Sequence, residues 1–263
     1  EHYGDPKDWL EKGDQWDTVM NYDAFMEPLT WFLTGMEKHS DEAREELLGN
    51  IDNFIGSMAH HMSNMLTPSL QVAMNELSNH DHSRFLTRTN RMVGRLYKPE
   101  DAENAEKGIN YGTFRSGALI QMTWPGAPTI YYGDEAGMEG FEDPFCRACY
   151  PWGREDEELQ AYYRMMTALR GSSEALRRGG LRVLAAGNGR IAFTRAFGDE
   201  RLIVCVNHSI GEWVLPAGRV RFAESAAPSP TGEVVLMRGG FCLLEPSDPE
   251  AHISMEIFLL YRD

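Results

Sequence analysis

The sequence predicts an α/β unit followed by an all-β one: strand–helix repeats over residues 1–178, then a small antiparallel β-sandwich over 179–263. Three observations carry this expectation. Through the first two thirds, β-rich and helix-periodic stretches alternate at the spacing of βα units. Polar residues gather just after each expected strand, at Asn21-Tyr22, Asn79-His80-Asp81 and Asp134-Glu135, as catalytic groups do at the strand ends of a (β/α)8 barrel. Beyond Gly179-Gly180 short β-rich runs are separated by Gly-Asn-Gly and Gly-Asp turns, the pattern of successive hairpins. Three strands are too few to close a barrel, so residues 1–178 are expected to be part of one.

The elements follow in order. QWDTVMNY, Gln15 to Tyr22, reads as a short strand, and AFMEPLTWFLTG as a helix closed by Gly35. Ser40 is placed to cap a long helix, with Asp41 and Glu42 favouring its first turn. Leu47, Leu48, Ile51, Phe54, Ile55, Met58 and Met62 recur on one face at helical spacing. Pro68 interrupts the pattern, and LQVAMNEL reads as a second strand leading into LSNHDHSRF, Leu77 to Phe85. Residues 88–110 are polar and charged, a long loop with some helix. YGTFRSGALIQMTW is a helix stopped by PGAP. TIYYGDE, Thr129 to Glu135, is β-branched and aromatic, hence a third strand. A Gly-rich loop reaches Trp152, and Asp156 to Leu176 is a third long helix. EVVLMRGGFCLLEP and MEIFLLYRD extend the β-rich tail, and AESAAPSPTGE is a surface loop.

Composition narrows the function. Hydrophobic residues at 42% and charged residues at 25% are ordinary for a globular protein. A formal charge of −15 repels phosphate backbones, which argues against nucleic acid and leaves neutral, hydroxyl-rich ligands unpenalised. No run approaches the roughly 20 apolar residues of a membrane helix, so no membrane partner is expected. The chain opens at Glu1 without an initiator Met and is read as a segment of a longer protein. Four cysteines are too few for a disulfide framework, and Cys146-x-x-Cys149 would need two further ligands to hold zinc.

The chemistry concentrates in three motifs. In SNHD, Asp81 accepts hydrogen bonds from hydroxyls, His80 donates one and Asn79 does both; Asp81 also suits stabilisation of a developing positive charge. A helix cap or turn explains the same residues, and a metal would need His80, Asp81 and His82 to converge although neighbouring strand residues point apart. His60-His61 reads as a locally bonded or solvated pair on a helix. Asp134 and Glu135 are either a carboxylate pair or acceptors for backbone amides in the Gly-rich loop. The loop EDPFCRACYPW presents Asp143, Arg147, Tyr150 and Trp152, residues that fork onto hydroxyls or stack on sugar rings, or simply pack the loop.

Together the motifs resemble the α-amylase family of glycoside hydrolases, in particular its neopullulanase-like and cyclomaltodextrinase-like members. GDQWDTVMNY resembles the sixth barrel strand, ELSNHDHSR the end of the seventh, WPGAPTIYYGDEAGMEG the eighth and its loop, and DPFCRACYPWG the subsite loop that follows. The tail resembles the family's C-terminal β-sandwich. The resemblance thus implies strands 6–8 of a (β/α)8 TIM barrel followed by that sandwich. It makes Asp81 the transition-state-stabilising carboxylate and His80 its neighbour on the same sugar. Asn79 falls on a more variable position, Arg84 on a structural one, and Arg147 and Trp152 on the substrate loop.

It also implies a retaining enzyme cleaving α-glucosidic bonds of starch- and maltodextrin-type glucans. The nucleophile and acid/base belong to the fourth and fifth strands, upstream of this chain; Glu1 lacks the flanking residues of the acid. The isolated chain is therefore expected to be inactive. No cofactor is expected in it, since the calcium of some relatives is held outside this segment. The expected partners are an α-glucan oligosaccharide and either a complementing N-terminal barrel part or a second copy, in a cytoplasmic setting. The contrasting expectation is a non-catalytic carbohydrate-binding or structural module that pairs with another polypeptide.

Overall fold

The computed structural model describes residues 4–94, 99–187, 189–251 and 253. The expected strand MEIFLLYRD, Glu1 and Asn188 of the Gly-Asn-Gly turn lie outside these residues.

A short helix, α1 (Lys7–Leu10), opens the described chain. Gln15 to Tyr22 does not form the strand its composition predicts: Trp16 N–H turns back to Trp9 O, and only Met20 makes a parallel β-bridge, to Met74. A single π-helical turn, Tyr22–Met26, then runs straight into α2 (Glu27–Thr34). Gly35 ends α2 in the left-handed conformation, its N–H on Trp31 O, as a C-terminal glycine should. The next helix starts later than Ser40. Ser40 itself is left-handed and buried, and Gly49 is left-handed too, so no helix runs through either. Asn50 caps α3 (Ile51–Ser63) instead, accepting Asn53 N–H.

Leu70 to Leu77 also divides. Pro68 is well placed in a first helical turn, and Thr67–Gln71 forms α4; only Met74–Glu76 remains as strand β1. Helices α5 (Phe85–Arg88) and α6 (Pro99–Glu106) punctuate the polar stretch. Helix α7 (Tyr111–Thr123) is capped by Asn110, which accepts Thr113 N–H. Strand β2 (Ala127–Thr129) ends where the sequence places its start, because Gly133 turns left-handed and Asp134–Ala136 coils into a 3-10 turn. Helix α8 (Glu157–Ser172) is capped by Asp156, and Ser173 separates it from α9 (Glu174–Arg178).

β1 and β2 pair in parallel with Glu76 beside Thr129; with the Met20 bridge they make three adjacent parallel segments. Behind them one apolar cluster joins Phe25, Leu29 and Phe32 to Phe54, Met58, Leu119, Met122 and Tyr163. It continues into Phe193, Val204, Phe241 and Leu243 of the C-terminal strands. Each such ring or branched chain removed from water stabilises by about 1.5–3 kcal/mol.

Those strands are β3 (Gly180–Gly187), β4 (Arg190–Phe197), β5 (Glu200–Asn207), β6 (Trp213–Leu215), β7 (Gly218–Pro228) and β8 (Val234–Pro246). They form one antiparallel sheet, ordered β3-β4-β5-β8-β6, with β7 along β8. β8 pairs with β6 at Val234–Leu236 and with β5 at Gly240–Leu244. Among the described residues the strands of the expected sandwich are hydrogen-bonded into one continuous sheet with a core on each face, a sandwich-like arrangement. Phe241 and Leu243 face the helices, while Cys242 and Leu244 alternate toward a second cluster with Trp213, Leu215, Val234 and Leu236. Arg195 of β4 ties the sheet to the helices by donating to Thr123 O at the end of α7 and to Gly179 O, and Arg170 of α8 donates to Met122 O and Gly126 O. Among the described residues no helix is long and apolar enough to cross a membrane.

Candidate active site

The three parallel segments are tied across the sheet by a ladder of amides. Asn21 N–H donates to Met74 O at 3.0 Å and Asn21 Nδ2 to Asn75 Oδ1 at 2.8 Å; Asn75 Nδ2 donates in turn to Pro125 O at 2.9 Å.

Beyond β1, Asn79 shapes the loop. Its Oδ1 accepts the N–H groups of Asp81 and His82 at 3.0 and 3.1 Å, a turn characteristic of asparagine. Its Nδ2 donates to Glu76 Oε2 at 3.1 Å and Tyr22 OH at 3.3 Å. Asn79 is 3% exposed, so its amide is committed within the protein. His80 and Asp81 are carried to the tip of this turn, partly exposed, with Nε2 and Oδ1 3.4 Å apart.

Arg147 reaches them from the loop after β2, on the 3-10 turn Phe145–Arg147. Its Nε donates to His80 O at 2.8 Å, and its Nη2 lies 3.4 Å from Asp81 Oδ1 and 2.9 Å from Asp143 Oδ2. The structure thus brings His80, Asp81 and Arg147 together, with Asn79 beneath. Trp152 stands on the same loop, 81% exposed, its ring 4.5 Å from that of Tyr150. The Arg147 loop is held tightly at Gly140, where an added Cβ would lie 2.7 Å from Phe145 O; Gly140 O accepts Arg84 N–H, and its own N–H donates to Thr87 Oγ1.

His82 points the other way. It is buried, with ring centroids 5.3 Å from Tyr22 and 4.7 Å from His39. Burial, reinforced by the positive charge of Arg88, lowers its pKa to about 2. His80, Asp81 and His82 therefore do not converge, and no group of three or more His, Cys, Asp or Glu among the described residues is placed to hold a metal. An unfolded histidine titrates near 6.5, so below that pH the unfolded chain takes up a proton that folded His82 refuses. The contribution is fully present above about pH 6.5 and is lost as pH falls toward 2. Replacing His82 with Phe should make stability less pH-dependent by about 1.4 kcal/mol per pH unit below 6.5. Urea unfolding at pH 7 and pH 5 measures it, and equal pH responses in the two proteins would contradict it.

Asp134 and Glu135 are occupied structurally. Asp134 is buried against Arg84, 3.1 Å from Nη1; burial pushes its pKa up to about 6, opposed by Arg84. Glu135 accepts Gly133 N–H at 2.9 Å. Two further partners give no signal in sequence. His39 Nδ1 lies 2.9 Å from Glu142 beside the Asp143–Arg147 turn, and Ser83 Oγ donates to His39 O. Glu76 is visible in sequence only as a charge in an otherwise strand-like run.

Chemically, Asp81 with a neighbouring imidazole and guanidinium can grip vicinal hydroxyls and favour positive charge at an adjacent carbon. The Arg147 guanidinium contacts both Asp81 and Asp143 and neutralises part of their charge. A cleft of about 1250 Å³ lies elsewhere, between the starts of α3 and α7 and the turns of the sheet, and none of these residues lines it. The geometry of charge and hydrogen bonding, rather than cavity size, marks the site.

Residues 7–179 match the family profile "Alpha amylase, catalytic domain". The chain is 30% identical over 211 residues to the amylopullulanase of Thermoanaerobacterium thermosulfurigenes, covering 75% of this chain and 11% of that protein. It is 33% identical over 214 residues to neopullulanase 2 of Thermoactinomyces vulgaris, covering 79% and 31%. It superposes on the acarbose-soaked debranching enzyme of Nostoc punctiforme with a TM-score of 0.74 at 24% identity, over 93% of this chain and 49% of that one. The chain therefore spans about a tenth to a third of these curated relatives.

Proposed function

The chain belongs to the α-amylase catalytic-domain family, and on that premise we propose that it supplies the hydroxyl-gripping, transition-state-stabilising part of a retaining glycoside hydrolase acting on α-glucosidic bonds of starch- and maltodextrin-type glucans. The observation that carries this is the His80–Asp81 tip at the end of β1, with Arg147 bonded to His80 O and beside Asp81. In this reading Met20, β1 and β2 mark the sixth, seventh and eighth barrel strands. Residues 1–178 are then the C-terminal part of the barrel and 179–263 a C-terminal β-domain. Asp81 holds two ring hydroxyls and opposes the charge of an oxocarbenium-like transition state. His80 donates to the same sugar, Arg147 holds Asp81 in place, and Trp152 offers a stacking face.

Double displacement also needs a nucleophile and an acid/base about 5 Å apart, and Asp143, bridged to Asp81 through Arg147, is not placed for either. The chain alone is expected to bind oligosaccharide without cleaving it, and to be completed by another barrel part or a second copy. Exposed Val72, Ile130 and Tyr132 beside β1 and β2 suit such a junction.

Titration calorimetry with maltotriose tests the binding role. Asp81→Asn should weaken binding at least about tenfold, which corresponds to about 1.4 kcal/mol, as expected for losing charge-assisted hydrogen bonds. Equal affinity in the variant would remove Asp81 from the site. Hydrolysis of maltotriose, cyclodextrin or pullulan by the chain, abolished in Asp81→Asn, would overturn its dependence on other carboxylates.

A further inference from the structure

Glu76 is a buried carboxylate that the reading above does not use. It ends β1, is 2% exposed, and lies beside Thr129 of β2 in the parallel register. The residue that follows, Leu77, belongs to the main core. Taking a carboxylate out of water costs several kcal/mol, and a hydrophobic residue of similar size would avoid that cost. Its contact with Asn79 gives it a use. Glu76 Oε2 accepts Asn79 Nδ2 at 3.1 Å, while Asn79 Oδ1 accepts the Asp81 and His82 N–H groups. One side chain therefore joins the strand end to the backbone of the turn that presents His80 and Asp81. Tyr22 OH, from the neighbouring segment, also accepts from Asn79 Nδ2 at 3.3 Å.

We propose that Glu76 is the positioning residue of this site: through Asn79 it fixes the orientation of the amide that sets the Asp81 turn, and so the direction in which His80 and Asp81 face. The Asp81 and His82 N–H groups can donate only to the Oδ1 end of Asn79, which leaves Nδ2 on the strand side. Glu76, which only accepts when ionised, meets that Nδ2 and holds the amide from its other end. A neutral apolar residue at position 76 removes this acceptor and leaves the amide held less firmly against the turn. Glu76 is a positioning residue in this arrangement and acts on the turn through Asn79. The role in sugar binding rests on the functional reading above; the effect on the turn does not.

Two readouts separate these. Hydrogen exchange of the Asp81 and His82 amides, followed by NMR, reports the turn itself. Maltotriose titration reports the site. In Glu76→Leu both amides should exchange at least about tenfold faster than in the parent chain, the loss expected for a hydrogen bond to a charged group. Exchange of the α3 and α7 amides should stay unchanged, and maltotriose affinity should fall by a similar factor. Glu76→Gln keeps an oxygen for Asn79 Nδ2 and should restore exchange and affinity to within about threefold, a rescue that loss of packing alone would not give. If Glu76→Leu does not fold, Glu76→Met should show the same fast exchange at Asp81 and His82.

Unchanged exchange at both amides in a folded Glu76→Leu protein overturns the proposal. So does Gln behaving like Leu. A parent chain that binds no maltotriose, while Glu76→Leu still speeds exchange, supports the positioning role and overturns the glucan reading alone. Preserved binding with fast exchange in Glu76→Leu overturns the link between the turn and the sugar.

Discussion

Arg84→Met should destabilise the protein by about 3–5 kcal/mol, the cost of breaking a buried ion pair from one side. Arg84 is fully buried. Its Nε donates to Cys146 O at 3.1 Å and its Nη1 to Tyr132 O at 2.9 Å and Asp134 Oδ1 at 3.1 Å. Its guanidinium lies 4.7 and 5.0 Å from the rings of Tyr131 and Tyr132. Methionine matches much of the length and none of the hydrogen bonds, leaving Asp134 buried without this cation and two carbonyls without a donor. Urea unfolding at pH 7 measures the loss. The companion Arg84→Met/Asp134→Leu protein should recover much of it, because removing both charges removes the desolvation cost as well. A single variant within 1 kcal/mol of the parent would show that the pair contributes little. The double variant carries a second expectation: Cys146 O loses its anchor next to Arg147, so maltotriose affinity should stay low even where stability returns.

Trp124→Ala should cost about 3–5 kcal/mol through lost burial and the cavity left behind. Trp124 follows α7 and is almost fully buried. Its ring lies 6.1 Å from Phe54 on α3 and 5.0 Å, edge-on, from Phe193 on β4. The side chain therefore joins the helices behind the parallel strands to the face of the antiparallel sheet. Because one apolar cluster spans both, thermal unfolding of the variant should remain a single transition shifted to lower temperature. Two separated transitions would show that the sheet and the helices unfold independently.

The order of elements, the site motif and the helix ends at Gly35, Asn110 and Asp156 are legible in the sequence, because each depends on residues within one turn of one another. Gly35 permits the left-handed stop, and Asn110 and Asp156 each offer an oxygen to an N–H three residues on. The misplaced boundaries fail for the same reason in reverse. Ser40 carries the composition of a cap, but it is buried and left-handed in a loop whose path is fixed by Gly94 N–H bonding to Ser40 O. Gln15 to Thr18 has strand-like residues, yet α1 supplies the partner that turns it back.

The site divides in the same way. The sequence by itself determined the chemistry available: a carboxylate and an imidazole at a strand end, an arginine and aromatics on a later loop, and a resemblance to the α-amylase family. Only the tertiary structure decided which of those groups meet. Asn79 meets Tyr22 across 57 residues of chain, Arg147 meets Asp81 across 66, and Arg84 meets Asp134 across 50. Side-chain type fixes which hydrogen bonds can form; which ones do form depends on where packing brings distant strand ends, and that is a property of the whole core rather than of any local stretch.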